Sequence, residues 1–510
     1  MEEKILKTVR LLLLLACLAV VLVFFNIFFV QGFLKRHSKP HVVADSHIIN
    51  LYNDGKKNFL FLPGYISKDD IRYSKNVDLS DTVILHSANV STIYINTASG
   101  TLDDILSDKD NKEPGTITIV DAKGNTINRE KLKYIKGRGN YSWDNWDKKS
   151  FKLKLGKKQS LLGLGEGKDF ALISNVSDAT LIRNDIGRRL EQALFMPYSA
   201  TGEFADLYIN GDYMGNYYLC ASIGVGKDRI DIKNIDSTQS KVFSYLNGKA
   251  LDVYETPSIK GYNIPDAVDD ITGGYLVERE FEGRYSLEYG KIKSGFITGG
   301  NEHFIVDSPE YCTVSEIKFI SDYFEKAEAE ILNSSQDSDY EYIDYKSFAK
   351  RYLIEELLKN YDGGISSAYY YKDSDENGGL LCAGPGWDYD MSLGNYLDWM
   401  KDTHDGPLGM TELYHSENCS PYYKALLNNQ KFKDEVYSLF DGAAYDYMLD
   451  LADHGIDEYE EYLSASASMD AVRWKNVYDN DGIYVGNPQE YRLLKDFITE
   501  RCKYLKEQWN

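Results

Sequence analysis

Three aspartates in one stretch carry the chemistry that this sequence offers most openly. Residues 361–395 read YDGGISSAYYYKDSDENGGLLCAGPGWDYDMSLGN. Two short apolar and aromatic runs, Ser367–Lys372 and Leu380–Ala383, flank the turn-forming cluster DSDENGG. That pattern predicts a β-hairpin with a longer loop. A hairpin returns the chain to the end it left. Asp362 lies just before the first run, and Asp388 and Asp390 lie just after the second. The hairpin therefore gathers three carboxylates at one end of a sheet. Gly363, Gly364, Gly384 and Gly386 let backbone approach a ligand closely there. Carboxylates converging on such loops hold a divalent metal and orient a nucleophile beside it. Any one of these aspartates could equally cap a turn and face water. The set, with Trp387 and Tyr389 interleaved, is read as a site.

The opposite charge is concentrated elsewhere. Residues 134–155 read YIKGRGNYSWDNWDKKSFKLKL. The run SFKLKL alternates strictly, so Phe151, Leu153 and Leu155 face a core while Lys152 and Lys154 face the other side. Lys148, Lys149, Lys157 and Lys158 add to this basic cluster. One reading is a solvated strand face. The functional reading is a phosphate cradle, with Arg138 on the Gly-Arg-Gly turn as a second kind of cation.

Several elements must position these groups. A helix over 347–360 stops at Asn-Tyr-Asp-Gly-Gly, which puts Asp362 at its end. Residues 177–194 also have helical spacing, and Arg183 and Asn184 interrupt the apolar pattern as if to reach a site. Residues 204–220 form a hairpin around Asn210-Gly211. GGYLVERE is a strand ending in Glu278 and Glu280. Short alternating strands begin near Asp81 and run into the basic segment without a break. The glycine-rich LLGLGEGKD is a turn; Asp169 stands where a phosphate-binding loop needs Ser or Thr. Further helices are expected at 315–332, 421–441, 443–464 and 487–508.

The chain has 510 residues and a formal net charge of −22. So acidic a surface repels nucleic acid, and no nucleic-acid partner is expected. Eleven prolines and 41 tyrosines fit a packed α+β body. Six cysteines without CxxC spacing read as buried thiols. Leu11–Val30 is an apolar run long enough to span a bilayer core of roughly 30 Å. It is expected to be a signal anchor that follows a cytoplasmic N-terminus (residues 1–10) and exports the body. The alternative is a cleaved signal peptide and a secreted body. Residues 31–78 read as a tether plus a lead-in, and 79–134 as a small β-rich unit expected to pack on the main domain rather than to be an independent module.

The motifs KGRGN…W…KKSFKLKL, LISNVSDATLIRN, LYINGDYMGNYYL, GGYLVE, SFAKRYLIEELLKNYDGGISSAYYYKD and GPGWDYDMSLGN occur in that order. This series closely resembles the CotH family, the spore-coat-type surface kinases with a divergent kinase-like fold. The resemblance implies a kinase-like domain over 135–510. It also implies transfer of phosphate from ATP, with Mg²⁺ or Mn²⁺, to Ser or Thr of a protein substrate. It matches Asp362 to the family's Asp before the hairpin. Asp388 and Asp390 match its metal-binding W-D-x-D element. Arg138, Lys148, Lys149 and Lys152 match segments facing the nucleotide phosphates, and Glu278 matches the acidic strand end. Asp362 and Asp388 are then the catalytic pair; either could hold metal while the other orients the hydroxyl. Ala221 departs from the family, which usually has Glu there. That departure implies, as the alternative, a weakened kinase or a binding protein of surface assembly. A metal-dependent hydrolase is a third reading of the carboxylates alone.

Overall fold

The computed structural model describes residues 41–44, 47–66, 71–73, 79–236, 251–395 and 420–509. The apolar run 11–30 lies outside them. Among the described residues, no helix is long and apolar enough to cross a membrane.

Period-two alternation builds the first body. Seven strands close into a barrel in the order 150–160, 166–173, 212–221, 202–209, 91–97, 113–120 and 126–138. Neighbours run antiparallel except 202–209 against 91–97, which is parallel. Phe151, Leu153 and Leu155 point inward with Ile93, Ile117, Phe170 and Leu219, as alternate residues on each strand must. The expected hairpin at Asn210-Gly211 forms, with both turn residues in the left-handed region (φ 51° and 84°).

Two boundaries differ from the sequence reading. The strand Thr126–Arg138 runs through the expected division at 134/135 and pairs on both sides, with 113–120 and with 150–160. The strands of residues 79–134 thus share one barrel with the later ones. The expected tether, 31–78, is also partly packed. Its run Asn58–Leu62 pairs in parallel with Thr82–His86. Leu60, Phe61 and Leu62 are buried against Tyr94, Tyr208 and Tyr213 on the outside of the barrel. The Tyr208 hydroxyl donates to the Phe61 carbonyl at 3.0 Å. An apolar FLFL run costs too much to leave in water.

The second body is an antiparallel sheet of seven strands, ordered 253–255, 259–262, 295–297, 303–308, 275–280, 368–372 and 381–383. Helices Val314–Leu332 and Tyr345–Leu358 pack on it through one large apolar core. The first helix starts on a capping box between Thr313 and Glu316. The predicted hairpin is present: Tyr370 pairs with Ala383 and Lys372 with Leu381. Helices Gln430–Leu439, Ile456–Arg473 and Pro488–Trp509 complete the α+β body.

Candidate active site

A cavity of about 660 Å³ lies between the barrel and the second sheet. Arg138, Glu278, Glu280, Asp362, Asp388 and Asp390 line it. The three aspartates of the hairpin segment thus converge, and they meet Arg138 from the other body.

Local sequence explains each placement. Arg138 ends its strand between two glycines. A Cβ at Gly137 would lie 2.5 Å from the Trp143 ring, and Gly139 has φ 92°. The indole and the turn together aim Arg138 into the cavity. Its guanidinium lies 3.6 Å from Asp388 and 4.8 Å from the Trp387 ring centre. Asp362 follows the helix Tyr345–Leu358, which ends on Lys359 in the left-handed conformation. Asp388 is itself left-handed, at φ 53°. A non-glycine residue held there is mildly strained, a frequent mark of functional loops. The Ser177 hydroxyl donates to Asp390 at 3.0 Å.

The carboxylates disturb one another. Asp362, Asp388 and Asp390 each keep some solvent contact, yet sit deep in the concavity. Burial pushes Asp362 up to about 8, and Asp390 and Asp388 add to the push. Burial and Asp388 raise Asp390 to about 6, against the Ser177 hydrogen bond. Glu280 rises to about 8 through burial, although Arg284 opposes it. Burial, then Asp307 and Glu280, hold Glu278 well above its ordinary range. The acidic groups here outnumber Arg138 and Arg284, and several of them keep their protons in response. A cation would relieve the excess. Among the described residues, no three acidic, His or Cys side chains lie close enough to cage an ion.

The model of the CotH kinase protein family matches residues 135–505. The chain belongs to the CotH family. No curated protein matches it.

The residues that carry the CotH resemblance divide on inspection. Arg138, Glu278, Asp362, Asp388 and Asp390 share the cavity. The three lysines do not line it. Lys148 is fully buried behind the turn, 2.8 Å from Asp470 and 3.3 Å from the Tyr478 hydroxyl. Lys149 donates to the Trp143 carbonyl and covers that indole. Lys152 sits beside Lys136 and Ala171 on adjoining strands and feels Asp169 and Asp307. The chain reverses after Arg138, which carries Lys148 and Lys149 behind the turn, while Lys152 feels Asp307, the neighbour of the cavity wall at Glu278. Ala221 also lies away from the site. It pairs with Phe170 and is buried in the barrel's apolar interior.

The sequence reading named Glu280 and Asn184 without assigning them a role in the site, and both line the cavity. Glu280 shares a face with Glu278 because strand residues two apart do; the alternation of GGYLVERE already carried that signal. Asn184 lines the cavity, in keeping with its break in the helical pattern. Nothing in the local sequence marks Ser177, Arg284 or Tyr369, which reach the cavity through tertiary packing.

Proposed function

We propose that this CotH family member transfers the γ-phosphate of ATP to Ser or Thr hydroxyls of surface or spore-coat-type proteins. The observation that carries this reading is the meeting of Arg138 with Asp388, at 3.6 Å, in a cavity shared with Asp362 and Asp390. Phosphoryl transfer asks for little covalent help. It asks for cations over the developing charge and a carboxylate beside the attacking hydroxyl. Arg138 holds phosphate oxygens, and Asp388 with Asp390 holds Mg²⁺ or Mn²⁺. The bound metal supplies charge neutralisation at the phosphates. Asp362 orients the hydroxyl and takes its proton; its raised affinity for a proton suits that task. Glu278 completes the nucleotide wall. The fold is taken as a divergent kinase fold. Residues 11–30 anchor the body in the membrane, outside the cytoplasm.

The test is incubation of the chain without residues 1–40 with labelled ATP and Mn²⁺. Label should appear on Ser or Thr. Asp388→Asn should lower transfer by more than about 100-fold, because loss of even an outer partner of a metal ligand costs 10- to 100-fold. Equal transfer by the variant would remove Asp388 from the mechanism. Binding of ATP without transfer would favour a pseudokinase, and release of label as free phosphate would favour a hydrolase.

A further inference from the structure

We infer that the helix Arg183–Ala193 is a template that sets the Asp388–Asp390 loop, with Glu191 as its central positioning residue. The inference rests on the kinase reading for its functional consequence only.

The helix buries two faces. Ile186, Leu190 and Leu194 enter the apolar core, as amphipathic spacing requires. Arg183, Asn184, Gly187, Arg188 and Glu191 are buried as well. A buried polar face is costly unless each group is matched. One loop supplies much of the match, beside the Arg183–Asp178 pair and the Arg188 bond to the Ala200 carbonyl. Arg183 donates to the carbonyls of Ser392 (3.0 Å) and Leu393 (3.3 Å). Asn184 accepts from the Tyr389 N–H at 3.0 Å. At Gly187 the Tyr389 ring lies where a Cβ would be. Arg188 stacks on Trp387 at 4.3 Å. One oxygen of Glu191 accepts from the Gly386 N–H and from the Tyr389 hydroxyl, the latter at 2.8 Å. Arg351, on the helix Tyr345–Leu358, closes the set by donating to the same hydroxyl at 3.0 Å.

These contacts explain a strict alternation in the loop. Trp387 and Tyr389 are buried and pinned, while Asp388 and Asp390 keep solvent contact and line the cavity. The pins fall on residues 386–393, and those on Trp387 and Tyr389 flank the aspartates directly. The carboxylates are thus aimed by neighbours held from behind: Tyr389 does not line the cavity, and Trp387 lines it while stacked on Arg188. A shift of Tyr389 moves both at once.

The experiment uses the chain without residues 1–40 and reads two quantities. Hydrogen exchange reports the amides of 384–393. Transfer measured against Mn²⁺ at fixed ATP reports the metal. Glu191→Ala should speed exchange in 384–393 and leave the barrel protected. It should raise the Mn²⁺ requirement by about 10- to 100-fold with KM for ATP held. Glu191→Gln keeps the accepting oxygen and should restore most of that loss. Gly187→Ala changes no charge, yet its methyl displaces Tyr389 and should shift the Mn²⁺ requirement in the same direction. A merely structural role would lower melting temperature without splitting Mn²⁺ from ATP. Wild-type exchange and Mn²⁺ dependence in both alanine variants would overturn the inference. If Glu191→Ala does not fold, Gly187→Ala decides. If the wild type transfers no phosphate, the kinase reading falls, and exchange with calorimetric Mn²⁺ binding still decides this one.

Discussion

Two regions of this molecule bury several ionisable groups, and they follow opposite plans. Behind the barrel, Lys148 and Asp470 are both without solvent contact and lie 2.8 Å apart. The Asn216 N–H donates to Asp470 at 2.8 Å, and the Tyr478 hydroxyl donates to its other oxygen. Lys148 and Asp470 are partners within the chain, and Asp206 beside them accepts from the Tyr213 and Ser466 hydroxyls. In the cavity, Glu278, Glu280, Asp362, Asp388 and Asp390 outnumber Arg138 and Arg284. A balanced buried set holds structure together. An unbalanced one that keeps a path to solvent is suited to a charged ligand. The comparison also shows why residue type misleads: Lys148 and Arg138 are both cations of one segment, and they belong to different plans.

The comparison breaks most easily at Lys148. Lys148→Met leaves Asp470 charged and buried without its partner. Loss of one member of a buried pair costs about 3–5 kcal/mol. Urea unfolding at neutral pH should show that loss. A change below about 1 kcal/mol, the range of exposed ion pairs, would place Lys148 outside the balanced set.

The cavity should respond with the opposite sign. Above about pH 8, where Asp362 loses its proton, Asp362→Asn removes one of several mutually repelling carboxylates. The metal-free protein should gain about 0.5–2 kcal/mol, the usual gain on relieving a functional site, while transfer is lost. The pH dependence sharpens this. Asp362 holds its proton up to about 8 in the folded chain, against 3.8 when unfolded. Between those values the folded state binds more protons, so stability falls as pH rises through the window. Denaturant unfolding from pH 4 to 8 should slope downward, and Asp362→Asn should flatten the slope. An unchanged slope would mean that the repulsion is relieved within the chain.

Much of this arrangement was legible in the sequence, for local reasons. The hairpin 368–383, the strand 275–280 and the helix before Asp362 follow from short-range periodicity and turn chemistry, and so does the convergence of three aspartates. Arg138 was legible because Gly-Arg-Gly fixes its turn. The lysines were not. Alternation correctly turned Lys152 away from Phe151 and Leu153, but only the closed barrel decides what lies on that outer side. Lys148 meets Asp470 across more than three hundred residues, and no local pattern signals such a pair. The packed segment 47–66 was missed for a related reason: its partners, Tyr208 and Tyr213, belong to a hairpin far along the chain.

The smallest effect concerns Lys149, and it separates the two plans most finely. Lys149 stands one residue from Lys148 but is half-buried, and it serves the Trp143 carbonyl rather than a carboxylate. Trp143 in turn packs on Gly137, next to Arg138. Lys149→Ala should therefore cost about 1 kcal/mol, the worth of one hydrogen bond, while KM for ATP keeps its wild-type value. If Lys149 reached the phosphates, the result would reverse, with stability held and KM raised. Isothermal measurement of ATP binding beside urea unfolding distinguishes the two. The first outcome keeps Lys149 out of the proposed nucleotide site, and the second would return it to the cavity.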